Sequence, residues 1–216
     1  MNTSRKDFIR IIMIPLLLLA SLLTVVFPTR AAGARAKVDD AAFHDGMRQL
    51  WEDHITWTRL VIVSIANDLP DTGATVQRLL QNQQDIGDAI KPFYGDAAGE
   101  QLSALLTDHI LIAADILQAT KTGDDAALNN AIERWYANAD DIAEFLHAAN
   151  PESWPLEEMK MMMREHLDLT LQEAVAYLQG DHTGSIAAYD EIHHQILHMA
   201  DMLSGGIVSQ FPKSFK

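Results

Sequence analysis

From residue 39 onward, apolar residues return every third or fourth position, the period that lines one side of an α-helix. Six such stripes are separated by Pro, Gly and short polar clusters. The first, over about 39–68, runs through Met47, Leu50/Trp51, His54, Thr58, Val61/Ile62 and Ile65. It stops at Leu69-Pro70, because proline lacks an amide hydrogen and restricts the residue before it. The second, about 72–94, carries Val76, Leu79/Leu80, Gln83, Ile86, Ile90 and Tyr94. Asp71 or Thr72 suits its N-cap, and Gly95-Asp96 ends it and caps the next. The third, about 97–120, is the most apolar, with Leu102, Leu105/Leu106, His109, Ile112/Ala113 and Ile116. After the Thr122-Gly123-Asp124 turn, the fourth, about 125–149, has Leu128, Ile132, Trp135, Ala139, Ile142 and Phe145/Leu146. Asn150-Pro151-Glu152-Ser153 breaks the pattern, with Ser153 placed to cap a fifth helix over about 155–179: Met159, Met162/Met163, His166, Leu169/Thr170, Ala174 and Tyr177. Gly180 ends it. The sixth, about 184–209, runs Ile186, Tyr189, His193, Ile196, Ala200 and Leu203, and Gly205-Gly206 should fray its end. Short connections between helices of similar length predict an all-α fold, an up-down antiparallel helical bundle of about six helices.

An acid–histidine pair recurs along this bundle: Asp53-His54, Asp108-His109 and Glu165-His166, with the histidines 55 and 57 residues apart. That spacing is the length of a helical hairpin. Asn82-x-x-Asp85 and Asn138-x-x-Asp141 follow at 31 and 32 residues from histidine to aspartate, and Gln195-x-x-His198 continues the series. Three diverged helical-hairpin repeats would produce this pattern.

The N-terminus adds an address. Arg5, Lys6 and Arg10 precede an apolar run from Ile11 to Phe27, and Ala-x-Ala choices follow at Ala32-Gly33-Ala34 and Ala34-Arg35-Ala36. Residues 1–36 therefore read as a signal peptide or an N-terminal membrane anchor. Residues 37–216 form a single helical-bundle domain that is exported, periplasmic or extracytoplasmic, and membrane-tethered only if the leader stays uncleaved. Without the leader, 11 Lys and Arg face 29 Asp and Glu, a net charge of about −18. Such a field repels nucleic acid and anionic lipid and attracts cations. The sequence has no cysteine, which excludes disulfides, thiol catalysis and thiolate metal sites.

Leu50-Trp51-Glu52-Asp53-His54-Ile55-Thr56-Trp57-Thr58-Arg59, Asp68-Leu69-Pro70-Asp71 and Glu165-His166-Leu167-Asp168-Leu169-Thr170 resemble a family of small bacterial helical proteins, over most of the chain beyond the leader. Some members of that family carry enzyme names, acetylglutamate kinase or glycosyltransferase. This sequence has no Gly-rich phosphate loop after a strand and no nucleotide-binding sheet pattern. The resemblance therefore bears on fold and leaves function open.

The stripe histidines carry the chemistry. His54, His109 and His166 lie at corresponding positions of three hairpins, where stacking brings them toward a common axis or leaves each as a separate core residue with its own partner. Their preceding acids sit 100° round the helix and should be surface charges. Asp85, Asp141 and His198 border the stripes and are the second set of candidate metal ligands. On the last helix His194 and His198 are i, i+4 neighbours with Glu191, Asp190 and Asp201 nearby, a chelating spacing. Nitrogen and oxygen donors without thiolate suit Cu, Zn, Ni or Fe. Met159, Met161, Met162, Met163, Met199 and Met202 admit a copper reading but fit core packing better. Trp51, Trp57 and Arg59, near His54, admit a stacked cation–aromatic cluster, but packing suits them better. No Gly-x-Ser-x-Gly elbow or activated serine is present. The expected function is non-enzymatic binding of a transition metal ion or small ligand. The alternative is a structural or partner-binding envelope protein whose histidines form only a hydrogen-bond network, its protein partner unknown.

Overall fold

The computed structural model describes residues 37–216, and the expected leader at 1–36 lies outside them. Among the described residues there are six α-helices and no strand: α1 Asp40–Ala66, α2 Thr72–Tyr94, α3 Asp96–Thr122, α4 Asp125–Ala149, α5 Leu156–Leu178 and α6 His182–Gln210. Consecutive helices pack side by side, and α6 returns against α1 to close the ring. The odd-numbered helices also touch one another. So α1, α3 and α5 form an inner triangle, and each even-numbered helix fills the groove between two of them.

Capping explains several boundaries. Asp39, Asp124 and Asp181 each accept a hydrogen bond from the backbone N–H three residues on, at 2.9–3.0 Å, satisfying a donor that the helix leaves free. Gly95 and Gly123 end α2 and α3 with φ of 89° and 68°, a backbone region that side chains resist. Ser153, expected as the cap of α5, is not one. Pro155 precedes that helix, and the Ser153 N–H instead donates to the Asn150 side chain.

Two expectations for α6 are corrected. Ile196, Ala200 and Leu203 are buried as expected, with Met199 and Ile207, but in the first half of the helix the buried face runs Ser185, Ala188, Ile192 and Gln195, while Ile186 is exposed and His193 half-buried. Two polar residues hold that face inward. Ser185 accepts from Arg59, and Gln195 reaches His166. The glycine pair does not fray the helix either. Gly206 lies against the Trp154 indole, where a Cβ would stand 2.8 Å from Cε2, and its carbonyl accepts from Asn150 Nδ2 at 2.9 Å.

The largest buried cluster contains Met47, Trp51, Ile86, Leu102, Trp135, Ile142, Trp154, Met159, Met163, Leu167, Ile196 and Met199. Burying each such side chain contributes roughly 1.5–3 kcal/mol, so packing can hold this cysteine-free chain together. A second cluster of Val61, Ile62, Leu79, Ile110, Leu117 and Ala174 fills the other end. By length and composition α3 would cross a membrane, yet it packs between α2 and α4 as a core helix. At the edge of the first cluster, Val38 pairs with Phe215 in an isolated bridge, beside the packed rings of Phe43, Phe93 and Phe211.

A three-histidine layer as candidate functional site

Between the two clusters lies a polar layer. His54 on α1, His109 on α3 and His166 on α5 are each at most 4% exposed. Each occupies the apolar stripe of an inner helix, so the triangle of helices brings their rings to the axis. His166 is central: its ring centroid stands 5.7 Å from that of His54 and 6.5 Å from that of His109. The stripe histidines therefore share one layer.

Each ring is held from outside by a carboxamide 29 residues further on, contributed by the helix that follows. His109 Nδ1 lies 2.9 Å from Asn138 Oδ1, and His166 Nδ1 lies 3.2 Å from Gln195 Oε1. These amides are themselves oriented. Asn138 Nδ2 donates to the Leu105 carbonyl at 3.0 Å and Gln195 Nε2 to the Met162 carbonyl at 3.1 Å, in each case the residue four before the histidine. With their nitrogens so engaged, both amides present oxygen to the ring. His109 and His166 must then carry the proton on Nδ1, leaving a lone pair on Nε2 at the far side of the ring.

The first hairpin divides the same duties between two residues. Asn82 Nδ2 donates to the Leu50 carbonyl, four before His54, at 2.9 Å. Gln83 meets the ring, but through nitrogen: Nε2 stands 3.4 Å from His54 Nδ1, 2.8 Å from the Leu79 carbonyl and 3.2 Å from Asn82 Oδ1. Its Oε1 is buried without a hydrogen-bond partner. An amide nitrogen carries hydrogens and has no lone pair to offer, so this contact favours an acceptor at His54 Nδ1, with the ring proton on Nε2.

The backbone carbonyls of the three histidines are also engaged. Thr58 donates to that of His54 and Thr170 to that of His166, both at 2.8 Å, and Trp135 Nε1 donates to that of His109 at 3.2 Å. Trp51 meets the His54 ring edge-on and Trp135 packs on His109. Small cavities of about 20 and 30 Å³ flank the layer, lined mainly by apolar side chains. In these surroundings burial holds the imidazoles neutral. It depresses His109 to about 3 and His166 to about 4, and keeps His54, with the other two rings beside it, well below the ordinary 6.5.

The other candidates lie elsewhere. Asp85 is half-buried and accepts from Gln81 at 3.0 Å, and Asp141 is exposed. His194 and His198 are exposed on α6, in an open groove shared with Glu158, Glu165 and Glu191 of α5 and α6. None of these four joins the hydrogen bonds of the layer. The polar partners of the rings are instead the amides three residues before Asp141 and His198, and the Asn82-Gln83 pair before Asp85. An amide can be buried at the cost of its hydrogen bonds alone, whereas a buried carboxylate needs a countercharge. Asp108 and Glu165 are exposed and Asp53 pairs loosely with Arg78, as surface charges should. Trp51 packs in the core, the role preferred for it, while Arg78 lies over Trp57, and Arg59 lies over Tyr189 and pairs with Glu173. Met159, Met163 and Met199 are core filler, and Met161 is exposed.

Three imidazoles on one tetrahedral ion, with metal–nitrogen bonds of about 2.0–2.1 Å, would have centroids about 5.2 Å apart. The rings here stand wider, and among the described residues no three His, Asp or Glu side chains are grouped at ligand spacing. The chemistry of two rings suits a metal, being neutral, oriented through Nδ1 and bearing a free Nε2 lone pair. A bound ion would have to draw the three inward. Comparison with protein-family models, curated proteins and solved structures finds no match for this chain.

Proposed function

We propose that this chain is an exported, non-enzymatic helical bundle that binds one transition-metal ion through Nε2 of His54, His109 and His166. One observation carries the reading: three neutral imidazoles share a single buried layer, and an amide oriented by a backbone carbonyl fixes two of them with their lone pairs away from the amide. Metal-bound histidines are held in this manner, through the nitrogen that does not touch the ion. Three imidazoles without thiolate suit Zn, Cu(II), Ni or Fe(II), and the acidic surface would concentrate any of these cations around the protein.

The ring spacing favours a second reading, in which the layer is a hydrogen-bond network that fixes the register of the six helices in an envelope protein with a structural or partner-binding role.

The two readings separate in one experiment. Untagged protein purified from the exported fraction, and the same protein titrated with Zn, Ni, Cu and Fe(II), is assayed for bound metal by elemental mass spectrometry beside His166→Gln. The metal reading expects about one ion per chain, lost in a variant whose circular dichroism is unchanged. A wild type that stays metal-free through all four titrations supports the network instead.

A further inference from the structure

The layer is not symmetric, and the asymmetry lies in one residue. Asn138 and Gln195 each perform two tasks with one amide, nitrogen to a carbonyl and oxygen to Nδ1. In α2, Asn82 takes the carbonyl, and Gln83 turns its nitrogen toward His54. Three acceptors crowd that nitrogen, which has two hydrogens, while Oε1 is buried with none. The consequence is a mismatch at the axis: His109 and His166 present lone pairs, and His54 presents an N–H.

We infer that Gln83 is a positioning residue that sets the metal affinity of the layer by holding His54 in the tautomer that cannot ligate through Nε2. This inference rests on the metal reading of the three-histidine layer. For an ion to take a third nitrogen, the His54 proton must move to Nδ1, and Gln83 must turn its orphaned oxygen toward it. That turn brings Oε1 against the Leu79 carbonyl and Asn82 Oδ1, acceptors that repel it. Part of the binding free energy is spent on this rearrangement, so the ion is held more weakly than three matched histidines would hold it, and it exchanges. Such a site suits a carrier or a sensor better than a permanent structural metal.

The bundle supplies its own control. In α4 the amide that orients His109 belongs to the pair Ala137-Asn138. The double substitution Asn82→Ala, Gln83→Asn copies that pair into α2 at the same 29-residue offset from its histidine. An asparagine at 83 would donate to Leu50 and accept from His54 Nδ1–H. The test measures zinc affinity by competition with a chromophoric chelator. In parallel, ¹⁵N-histidine NMR of the zinc-free protein reads which ring nitrogen bears the proton.

The expected result is a wild type with His54 protonated on Nε2, a double variant with His54 protonated on Nδ1, and zinc bound at least about tenfold tighter by the variant, the usual scale for the partner of a liganding histidine. If the double variant fails to fold, Gln83→Leu, of similar volume and with neither donor nor acceptor, takes its place: zinc is bound more tightly because no amide has to turn, while residue 83 no longer sets the His54 tautomer. A wild type that binds no zinc beside a variant that binds it overturns native metal binding and leaves the role of Gln83 standing. Equal affinities in wild type and variant with the tautomer changed, or a wild-type His54 already protonated on Nδ1, overturn the role of Gln83.

Discussion

The Asn138 carboxamide grips His109 by its ring, with Oδ1 2.9 Å from Nδ1, while its nitrogen holds the Leu105 carbonyl one turn earlier on the same helix. One residue of an outer helix thus fixes the tautomer, the ring orientation and the register of an inner one. Gln195 repeats this on His166 and Met162.

Asn138→Leu should therefore be costly although the residue is small and the replacement apolar. It strands a buried ring N–H and leaves the Leu105 carbonyl without this donor. Leaving buried polar groups unsatisfied costs about 1–3 kcal/mol each. We expect a loss of about 2–4 kcal/mol in urea denaturation, with the slope unchanged. A loss below about 0.5 kcal/mol, the scale of an ordinary surface change, would show that the amide does not hold the layer.

Acid should loosen the bundle through its histidines. Unfolded, each takes a proton near 6.5; folded, His166 waits until about 4 and His109 until about 3. Between those values the unfolded chain binds more protons, so the stability is full above 6.5 and is lost as pH falls toward 3–4. The limit is about 1.4 kcal/mol per pH unit for each histidine. Glu173 acts with the opposite sign: burial raises it to about 7 against the pull of Arg59, so its contribution is present below 4.5 and lost as pH rises through 7. Denaturation midpoints between pH 7 and 4.5 should fall less steeply in His166→Gln than in wild type. Parallel slopes would mean that His166 is not buried neutral.

Arg59 and Glu173 form an ion pair in which the carboxylate is almost wholly buried, with Ser185 and the Tyr189 ring completing the arginine's surroundings. Arg59→Met alone should cost about 3–5 kcal/mol, because it abandons a buried acid. The double variant Arg59→Met, Glu173→Leu should recover most of that loss. Additive losses in the double-mutant cycle would show that the two residues are independent.

At the other end of the bundle, Gly206→Ala would drive a methyl group into the Trp154 indole. Overpacking of this kind costs about 1–3 kcal/mol. The melting temperature should fall and the tryptophan emission should shift. An unchanged melting temperature would mean that α6 can move away from Trp154 at no cost.

Much of this architecture was legible in the sequence, because helix periodicity and capping residues act locally. The expected boundaries of α2 and α4 coincide with those observed, and the three stripe histidines fell on the inner faces. The partners of those histidines were harder to read. Asp85, Asp141 and His198 drew attention as chemically potent side chains. The layer instead uses Asn82, Gln83, Asn138 and Gln195, whose lack of charge is what permits their burial. The constant 29-residue offset from each histidine to Gln83, Asn138 and Gln195 was present in the chain as a signal. On α6 the expected stripe met the buried face at Ile196, Ala200 and Leu203 but missed it at Ile186 and His193, because Ser185 and Gln195, both polar, point inward to partners on α1 and α5. Patterns of hydropathy cannot register a buried residue whose reason for burial lies on another helix.

Anomalous diffraction at the zinc absorption edge, from crystals grown with one equivalent of zinc, tests the central claim most directly. The account predicts one strong peak on the bundle axis, about 2.0–2.1 Å from Nε2 of His54, His109 and His166, with the three rings drawn closer than they stand here. Zinc found only at surface positions such as the His194 and His198 groove, with the layer unchanged, would contradict it.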